Sequence, residues 1–342
     1  MISRRIQDGL TFVRKMTLRR WINAVKLISG YYIANWTKRP YQFGYPVSVA
    51  IEPTTSCNLR CPECPSGLRS FSRNTGMLSY ERFKNIVDQV AQKTPYMILY
   101  FQGEPYLNKS FYEMVHYASQ EKDMYVATST NAHYLNEETA RKTVESGLSR
   151  LIISIDGTSQ DTYSSYRRGG KLDKVIEGAK AVVKAKKEAG SKTPHIIFQF
   201  LVVGPNEHQI PEIIELGKEL DVDEVKLKTA QVYSYRNGNP LIPENEKYSR
   251  YKKQKDGTYR LKNKLSNHCW KLWHSCVFTW DGNVLPCCFD KDGQHVMGNI
   301  DNSSFDAIWG NQTYLNFRHS ILKGRDQIDI CKNCTEGTKI WT

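Results

Sequence analysis

The sequence predicts an α/β protein built on a partial (β/α)6 TIM-like barrel, and three observations support this prediction. Predicted strands and amphipathic helices alternate through the middle of the 342-residue chain, which indicates a parallel sheet covered by helices. Six such repeats lie within residues 44–235, too few to close an eight-stranded barrel. The nine cysteines are clustered, which indicates metal ligation rather than a disulfide framework. We therefore expect an open barrel followed by a small Cys-rich α+β cluster-binding domain at residues 265–342.

Apolar runs of strand length and apolar residues at helical spacing define the elements of the barrel. The predicted strands cover residues 47–53, 96–102, 124–130, 150–155, 195–202 and 225–231. The predicted helices between them cover residues 79–93, 108–122, 136–147, 171–189 and 207–220. Residues 236–264 are polar and tyrosine-rich with Gly and Pro turns, and they predict a linker. In barrels of this type we expect the functional residues at the carboxyl ends of the strands.

Residues 1–43 form a basic arm that contains a predicted amphipathic helix. The arm has nine Lys or Arg residues and one acid, so it contributes +8 to the net charge of +13. From Thr17 to Trp36 apolar residues recur at helical spacing, with Trp21 and Tyr32 among them. The longest uncharged run is too short to cross a bilayer and no signal peptide is visible, so we expect a cytoplasmic protein.

Two interpretations of this amphipathic helical arm stay open. The helix could dock on the barrel, or it could lie on an anionic membrane and place the protein at the inner membrane face. Nucleic acid is a less favoured partner, because no recognisable binding module accompanies the charge.

The cysteine loop Cys57-x3-Cys61-x2-Cys64 directly follows the first predicted strand. Three thiolates held by one tight loop can ligate three irons of a 4Fe–4S cluster and leave the fourth iron open for a substrate or cofactor. A structural zinc site would need a fourth protein ligand nearby, and the residues that follow supply none. The loop therefore predicts a cluster with an open coordination position.

This loop resembles the signature of the radical S-adenosylmethionine (AdoMet) superfamily, in which it follows the first strand of a partial barrel. The resemblance covers roughly residues 47–232, and its one departure is Glu63, which stands where the family usually has an aromatic residue. It implies an enzyme that binds AdoMet at a 4Fe–4S cluster held by Cys57, Cys61 and Cys64. It also implies an electron donor such as flavodoxin or ferredoxin.

Further strand-end motifs match the AdoMet contacts of this family in the expected order. The turn Gly103-Glu104-Pro105 corresponds to the family's G-E-P turn, which holds the methionine amino group. An arginine after the fourth strand would bind the AdoMet carboxylate, and the sequence does not decide between Arg167 and Arg168. The AdoMet-binding residues that the resemblance implies are Gly103, Glu104, Ser129, Asn131, Ser154, Asp156 and Arg167. Helix capping is the alternative role for Ser154 and Asp156.

The C-terminal cysteines resemble the auxiliary-cluster extension of the same superfamily, the SPASM domain or its shorter form, the twitch domain. Six cysteines are present there, enough for one four-ligand cluster and too few for two. Asp281-Gly282 predicts a hairpin that would bring Cys276 near Cys287 or Cys288. The twitch spacing instead implies an auxiliary 4Fe–4S cluster on Cys269, Cys287, Cys331 and Cys334. A structural zinc on four cysteines is the alternative, because it needs the same number of ligands.

The resemblance implies reductive cleavage of AdoMet to a 5′-deoxyadenosyl radical, which abstracts a hydrogen atom from an unactivated substrate carbon. A peptide-recognition winged-helix domain would need about twice the 43 residues that precede the barrel. We therefore expect oxidation or another modification of a sugar-like, carrier-linked or lipid-linked substrate. One alternative is modification of a ribosomally made peptide or protein by cross-linking, epimerisation or maturation. Another, from a different class, is a non-catalytic iron–sulfur or zinc scaffold.

Overall fold

Parallel strands alternate with helices in this computed structural model, which describes residues 3–263 and 265–337. The six barrel strands are β1 (Ser48–Ile51), β2 (Tyr96–Ile98), β3 (Tyr125–Thr130), β4 (Arg150–Ser154), β5 (His195–Val202) and β6 (Glu224–Thr229). The helices before and between them are α1 (Arg4–Arg14), α2 (Leu18–Thr37), α3 (Pro65–Leu68), α4 (Tyr80–Val90), α5 (Phe111–His116), α6 (Glu137–Glu145), α7 (Gln160–Tyr166), α8 (Leu172–Glu188) and α9 (Ile210–Glu219). Strands β1 to β6 pair in parallel and in chain order, which confirms the predicted partial barrel.

The C-terminal part of the chain extends the same sheet. Its elements are β7 (Tyr251–Lys253), β8 (Tyr259–Leu261), α10 (Trp270–His274), β9 (Ser275–Phe278), β10 (Asn283–Leu285), β11 (Gly298–Asn299), α11 (Phe305–Trp309) and α12 (Gln312–Gly324). The sheet order is β11-β10-β9-β1-β2-β3-β4-β5-β6, with β9 parallel to β1. The predicted hairpin joins β9 to β10, and Gly282 in its turn has a positive φ of 85°. Residues 236–264, expected to form a linker, contain the hairpin of β7 and β8.

Alternate residues along the barrel strands face its interior, and the strand register aligns them in layers. At the strand starts, Tyr96 lies beside Tyr125 and Arg150 lies beside His195. Toward the strand ends, Ser154 on β4 is in register with Gln199 on β5, which is in register with Lys226 on β6. Ser154, Gln199 and Lys226 therefore form one polar row across β4, β5 and β6, which we call the upper layer.

Helix α1 closes the barrel at the end where the strands begin. The carboxylate of Asp8 accepts hydrogen bonds from the hydroxyl of Tyr125 and the guanidinium of Arg150. The ring of Phe12 packs edge-on against Tyr96 and Tyr125, with centroids 6.1 and 5.9 Å away. Asp8 is buried, and Arg150 compensates its charge. The start of the basic arm is therefore part of the barrel's own packing.

Helix α2 lies across the segments that lead into the first three strands. The guanidinium of Arg20 is buried and donates to the carbonyls of Ala91 and Lys122, which precede β2 and β3. The side-chain amide of Asn23 donates to the carbonyl of Tyr45, 3.0 Å away and just before β1. One of the two interpretations of the arm, docking on the barrel, is therefore observed.

The side of α2 that docks is not the apolar stripe that the sequence suggested. Trp21 and Tyr32, which belong to that stripe, are 51% and 58% exposed. Among the described helices, none combines the length and the apolar character that crossing a membrane requires.

Candidate active site

The cysteine loop folds over the carboxyl ends of the first strands. A hydrogen bond of 3.3 Å from the N–H of Cys64 to the carbonyl of Cys61 closes its tight turn. Gly67 packs against this turn, since a Cβ there would lie 2.5 Å from the nitrogen of Cys61. The pKa of the Cys57 thiol is raised to about 11, mainly by burial and to a lesser extent by the nearby Glu104, Cys61 and Cys64. An iron cluster fits this donor set, because the positive metal offsets the penalty of three neighbouring thiolates, of which Cys61 is buried and the other two are partly buried.

The turn after β2 depends on glycine and is held rigidly. Gly103 has a φ of 73°, and a Cβ there would lie 2.3 Å from the carbonyl oxygen of Thr54. The carboxylate of Glu104 accepts hydrogen bonds from Thr130 Oγ1 at 2.7 Å and from the N–H of Asn131 at 2.8 Å. Burial raises the pKa of Glu104 to about 7. Glu104 therefore joins the ends of β2 and β3, and its carboxylate is already used within the protein.

The backbone carbonyls of this turn are still available to a ligand. Among the described residues, no backbone N–H donates to the carbonyl of Gln102 or Gly103. Carbonyl oxygens are the acceptors that an ammonium group needs. The turn can thus hold the amino group of AdoMet through its backbone, while Glu104 fixes its shape.

A buried ion pair stands at the end of β4. Arg167 donates from Nε to Asp156 Oδ2 at 2.5 Å, and Asp156 Oδ1 accepts from the N–H of Leu201 at 2.7 Å. Burial raises the pKa of Asp156, and Arg167 opposes that rise. The Nη1 atom of Arg167 lies 3.9 Å from Cys61 Sγ, whereas the side chain of Arg168 is exposed. The ion pair with Asp156 therefore orients the guanidinium of Arg167 toward the cysteine loop. The side chain of Arg168 is not held there.

The remaining predicted AdoMet contacts lie on β3 and β4 and just beyond β3. Ser129 Oγ is 3.5 Å from Ser154 Oγ, so both hydroxyls face the barrel interior. Asn131 donates from Nδ2 to Asn58 Oδ1 at 2.7 Å and lies 3.9 Å from Cys57 Sγ. The structure thus brings all seven predicted residues to one end of the barrel, around the cysteine loop.

Three residues of this site were not predicted as contacts. Asn58 bonds Asn131 as described, and Gln102 Oε1 lies 3.9 Å from Cys64 Sγ. Glu63 accepts a hydrogen bond of 2.9 Å from the N–H of Tyr233. Glu63 thus links the cysteine loop to the segment after β6, in the place where the family usually has an aromatic residue. In the sequence, the glutamate in place of the usual aromatic residue was the signal that could have indicated this different contact.

The four cysteines expected to hold the auxiliary cluster line one small cavity, together with Arg325. They are Cys269, Cys287, Cys331 and Cys334. Arg325 is buried and donates from Nη2 to Cys334 Sγ at 3.3 Å. A guanidinium beside the sulfur atoms favours their thiolate form. Arg325 was not predicted from the sequence, because it lies in a separate turn before the C-x2-C pair and belongs to no recognisable motif.

Cys276 and Cys288, the two C-terminal cysteines outside the expected ligand set, are not among the described residues that line this cavity. Cys276 is buried on β9, and Cys288 packs against Ala50 and Leu285 on the barrel side. In the described part of the chain, no three His, Cys, Asp or Glu side chains lie close enough to hold a single metal ion. A 4Fe–4S cluster differs from such a site because each cysteine binds its own iron.

The C-terminal region bridges the two edges of the open barrel. On one side β9 pairs with β1. On the other side Asn333 donates to the carbonyl of Val232, just after β6, at 2.8 Å, and it accepts from the hydroxyl of Tyr251 at 2.9 Å. The four cysteines expected to hold the auxiliary cluster therefore lie at the lateral opening of the barrel.

Comparison with known protein families gives two matches. The model for the radical SAM superfamily matches residues 51–217. The model for SPASM, an iron–sulfur cluster-binding domain, matches residues 269–335. These ranges contain the cysteine loop and the auxiliary cysteines, respectively.

Individual relatives are distant but cover most of the chain. The PqqA peptide cyclase of Bradyrhizobium diazoefficiens is 24% identical over 295 residues, which are 79% of this chain and 72% of the relative. The tungsten-containing aldehyde ferredoxin oxidoreductase cofactor-modifying protein of Pyrococcus furiosus is 25% identical over 311 residues, covering 78% of this chain and 82% of the relative.

Among solved structures, Streptococcus suis SuiB has the same fold. With S-adenosylmethionine bound, it superposes with a TM-score of 0.62 at 15% identity, covering 85% of this chain and 71% of SuiB. With the precursor peptide SuiA bound, the TM-score is 0.61 at 16% identity, covering 86% and 70%. The matched domains use AdoMet and 4Fe–4S clusters as cofactors. The chain belongs to the radical SAM superfamily and is a radical SAM enzyme with a C-terminal SPASM domain.

Proposed function

We propose that this enzyme modifies a peptide or protein substrate by radical chemistry. The support is the similarity to the PqqA peptide cyclase, together with the fold shared with SuiB, whose structure was solved with a precursor peptide. This proposal takes the place of the sugar-like, carrier-linked or lipid-linked substrate that we expected from the sequence. Membership of an enzyme superfamily also argues against the scaffold interpretation.

When bound, the cluster and AdoMet supply a 5′-deoxyadenosyl radical after one-electron reduction, and this radical takes a hydrogen atom from an unactivated carbon. In our proposal Cys57, Cys61 and Cys64 hold the cluster, and Arg167 binds the AdoMet carboxylate. The backbone carbonyls of Gln102 and Gly103 would accept hydrogen bonds from the amino group of AdoMet. A reduced flavodoxin or ferredoxin is the proposed source of the electron.

The side chains that remain in the upper layer of the barrel are available to the substrate. Gln199 and Lys226 are in register with Ser154 and point to the same interior. The proposed auxiliary cluster on Cys269, Cys287, Cys331 and Cys334 would stand at the opening beside them. There it could accept the electron left on a substrate radical or hold the substrate in place.

The observation that carries the cofactor assignment is the distance of 3.9 Å between Arg167 Nη1 and Cys61 Sγ. This distance supports the assignment, because a guanidinium beside the proposed iron ligands is suited to bind a carboxylate. Anaerobic incubation of the reconstituted full chain with AdoMet and dithionite should yield 5′-deoxyadenosine, and Cys61→Ala should yield none. If Cys61→Ala forms it at the wild-type rate, the assignment of this loop is wrong.

The peptide proposal needs a separate test. Short peptides encoded next to the gene are incubated with enzyme, AdoMet and reductant, and their masses are compared before and after reaction. We expect a mass change in one peptide, in proportion to the 5′-deoxyadenosine formed. Stimulation of 5′-deoxyadenosine formation by a sugar-like alcohol, with every peptide unchanged, would restore the original expectation.

We also propose that the enzyme works beside an anionic membrane. The support is the basic arm, in which nine cationic residues accompany one acid.

A further inference from the structure

Helix α2 has two chemically different sides, and only one of them is buried. At 3.6 residues per turn, the docked side consists of Arg20, Asn23, Leu27, Gly30, Tyr31 and Ala34. The opposite side carries the outer stripe, which we define as Leu18, Trp21, Ile22, Val25, Tyr32, Ile33 and Trp36. Leu18 is 77% exposed and Trp36 is 86% exposed. The helix thus docks through Arg20 and Asn23 together with Leu27, Tyr31 and small residues, and it leaves the large apolar residues of the outer stripe in the solvent.

A stripe of this kind is unusual on a protein surface. Single exposed apolar residues are normal, whereas a contiguous row of them marks an interaction site. Phe43, which is 50% exposed, adds to the same surface, because it lines a shallow groove with Leu18 and Ile22. The barrel does not need these side chains for its own packing, since α2 is already held from its other side.

Cationic residues accompany the outer stripe, and acids do not. Five exposed basic residues lie on or next to α2: Arg14, Arg19, Lys26, Lys38 and Arg39. In the described part of the chain none of the five forms a salt bridge, and no acid occurs between Asp8 and Glu52. At 3.6 residues per turn, Arg19 and Lys26 flank one edge of the stripe. The surface therefore combines apolar area with positive charge that is not neutralised within the protein.

We propose that the outer stripe is a docking surface for an anionic lipid bilayer; this rests on the proposed membrane location and identifies the surface responsible for it. Tryptophan and tyrosine beside basic residues are typical of helices that lie in the membrane interface. A second copy of this chain fits less well, because pairing two stripes would bring five cations against five more.

The docking surface also fixes an orientation. The carbonyls that hold Arg20 and Asn23 belong to residues that precede β1, β2 and β3. The outer stripe therefore lies at the end of the barrel where the strands begin, and the Cys57 loop lies at the other end. A bilayer on the stripe would leave the AdoMet end facing water, where a soluble electron donor can reach it.

The test uses the reconstituted full chain and vesicles of phosphatidylcholine, with or without phosphatidylglycerol. We expect co-sedimentation with the mixed vesicles at low salt and little with phosphatidylcholine alone. The double variant Val25→Ser, Trp36→Ser should weaken partitioning about tenfold, because the stripe loses inserted apolar area. The triple variant Arg14→Gln, Lys26→Gln, Arg39→Gln should weaken it about 100-fold.

Matched controls separate this surface from general effects. Ile214→Ser removes an apolar residue that is 40% exposed on α9, away from the stripe. The control for charge is Lys109→Gln, Lys174→Gln, Lys180→Gln, which removes three exposed cations, one before α5 and two on α8. Both controls should partition within about twofold of the wild type. A further measurement needs no variant: lipids brominated in their acyl chains should quench the tryptophan fluorescence of the wild type.

Three results would overturn the proposal. In the first, the wild-type chain stays in the supernatant at low salt. In the second, the stripe variants partition into vesicles like the wild type. In the third, the wild type forms a dimer that Trp36→Ser dissociates. Formation of 5′-deoxyadenosine by the same samples without vesicles reports on the radical chemistry alone. Loss of vesicle binding with intact AdoMet cleavage therefore contradicts the docking surface and not the proposed enzymatic activity.

Discussion

The guanidinium of Arg167 donates to the buried carboxylate of Asp156 at 2.5 Å. This ion pair fixes the direction of the arginine, because Asp156 is in turn held by a backbone N–H at 2.7 Å. The remaining nitrogen atoms of the guanidinium are left for a ligand, and Nη1 lies 3.9 Å from Cys61 Sγ. A planar, always charged group in this position suits a carboxylate, which can accept two parallel hydrogen bonds from it.

Replacing this arginine should weaken AdoMet binding specifically. Arg167→Lys keeps the positive charge and loses the planar guanidinium that can donate two parallel hydrogen bonds. We therefore expect AdoMet affinity to fall by roughly 10- to 100-fold. Arg168→Lys is the matched control, because its side chain is exposed, and it should bind AdoMet within about twofold of the wild type. Equilibrium dialysis with labelled AdoMet on reconstituted protein measures both. Equal losses in the two variants would contradict the role of Arg167.

Glu104 should make stability depend on pH. Its pKa is raised by burial to about 7, above the value of an unfolded chain. Between these two values the native state binds more protons than the unfolded state, so stability rises as the pH falls. From pH 8 to pH 5 this group should add about 2.5 kcal/mol to the free energy of unfolding.

The matched variant for this pH dependence is Glu104→Gln, which removes the titrating proton. Anaerobic denaturant titrations at several pH values give the difference between wild type and variant. That difference should shift in favour of the wild type as the pH falls, and a constant difference would show that Glu104 does not titrate in this range.

The auxiliary ligand set can be tested by exchanging single cysteines. Cys269 lines the cavity with Cys331 and Cys334, whereas Cys276 is buried elsewhere on β9. Wild-type protein should bind about eight irons and eight sulfides. Cys269→Ser should drop to about four irons and keep some AdoMet cleavage, and Cys276→Ser should stay near eight. The opposite pattern would move the ligand set to Cys276, and stoichiometric zinc with four irons would replace the auxiliary cluster.

Local patterns in the sequence were sufficient for the barrel and the cysteine loop. The spacing of Cys57, Cys61 and Cys64 is a feature of one short segment, and strand–helix alternation is visible in apolar periodicity. The pairing of β9 with β1 was not predictable in this way, because it joins residues as far apart as Ser48 and Ser275. Such long-range pairing leaves no local signal.

The docked side of α2 shows a second limit of sequence reasoning. Periodicity identifies the apolar stripe, and the usual inference is that such a stripe faces the core. Here Arg20 and Asn23 share the inward side with Leu27 and Tyr31, because backbone carbonyls before the strands satisfy their donors. Similarly, the G-E-P motif identifies Glu104, but only the structure shows that its carboxylate is used by Thr130. Polar residues with internal partners cannot be distinguished by sequence from those that bind ligands.

The last prediction concerns the end of the barrel where the strands begin, which α1 closes. Asp8→Asn removes the charge that compensates Arg150, whose guanidinium lies under the barrel with only 23% of its side chain exposed. An unpaired charge in a largely buried position is strongly unfavourable, so we expect a loss of about 3 kcal/mol in the free energy of unfolding.

Glu137→Gln is the matched control for Asp8→Asn, because it removes one partner of an exposed ion pair, with Lys184, and should leave stability nearly unchanged. Anaerobic denaturant titrations compare both with the wild type. If Asp8→Asn is as stable as the control, α1 is not needed to close the barrel. In that case a chain beginning near Met16, which lacks α1 and keeps α2, should fold, whereas the buried contacts of α1 lead us to expect that it does not.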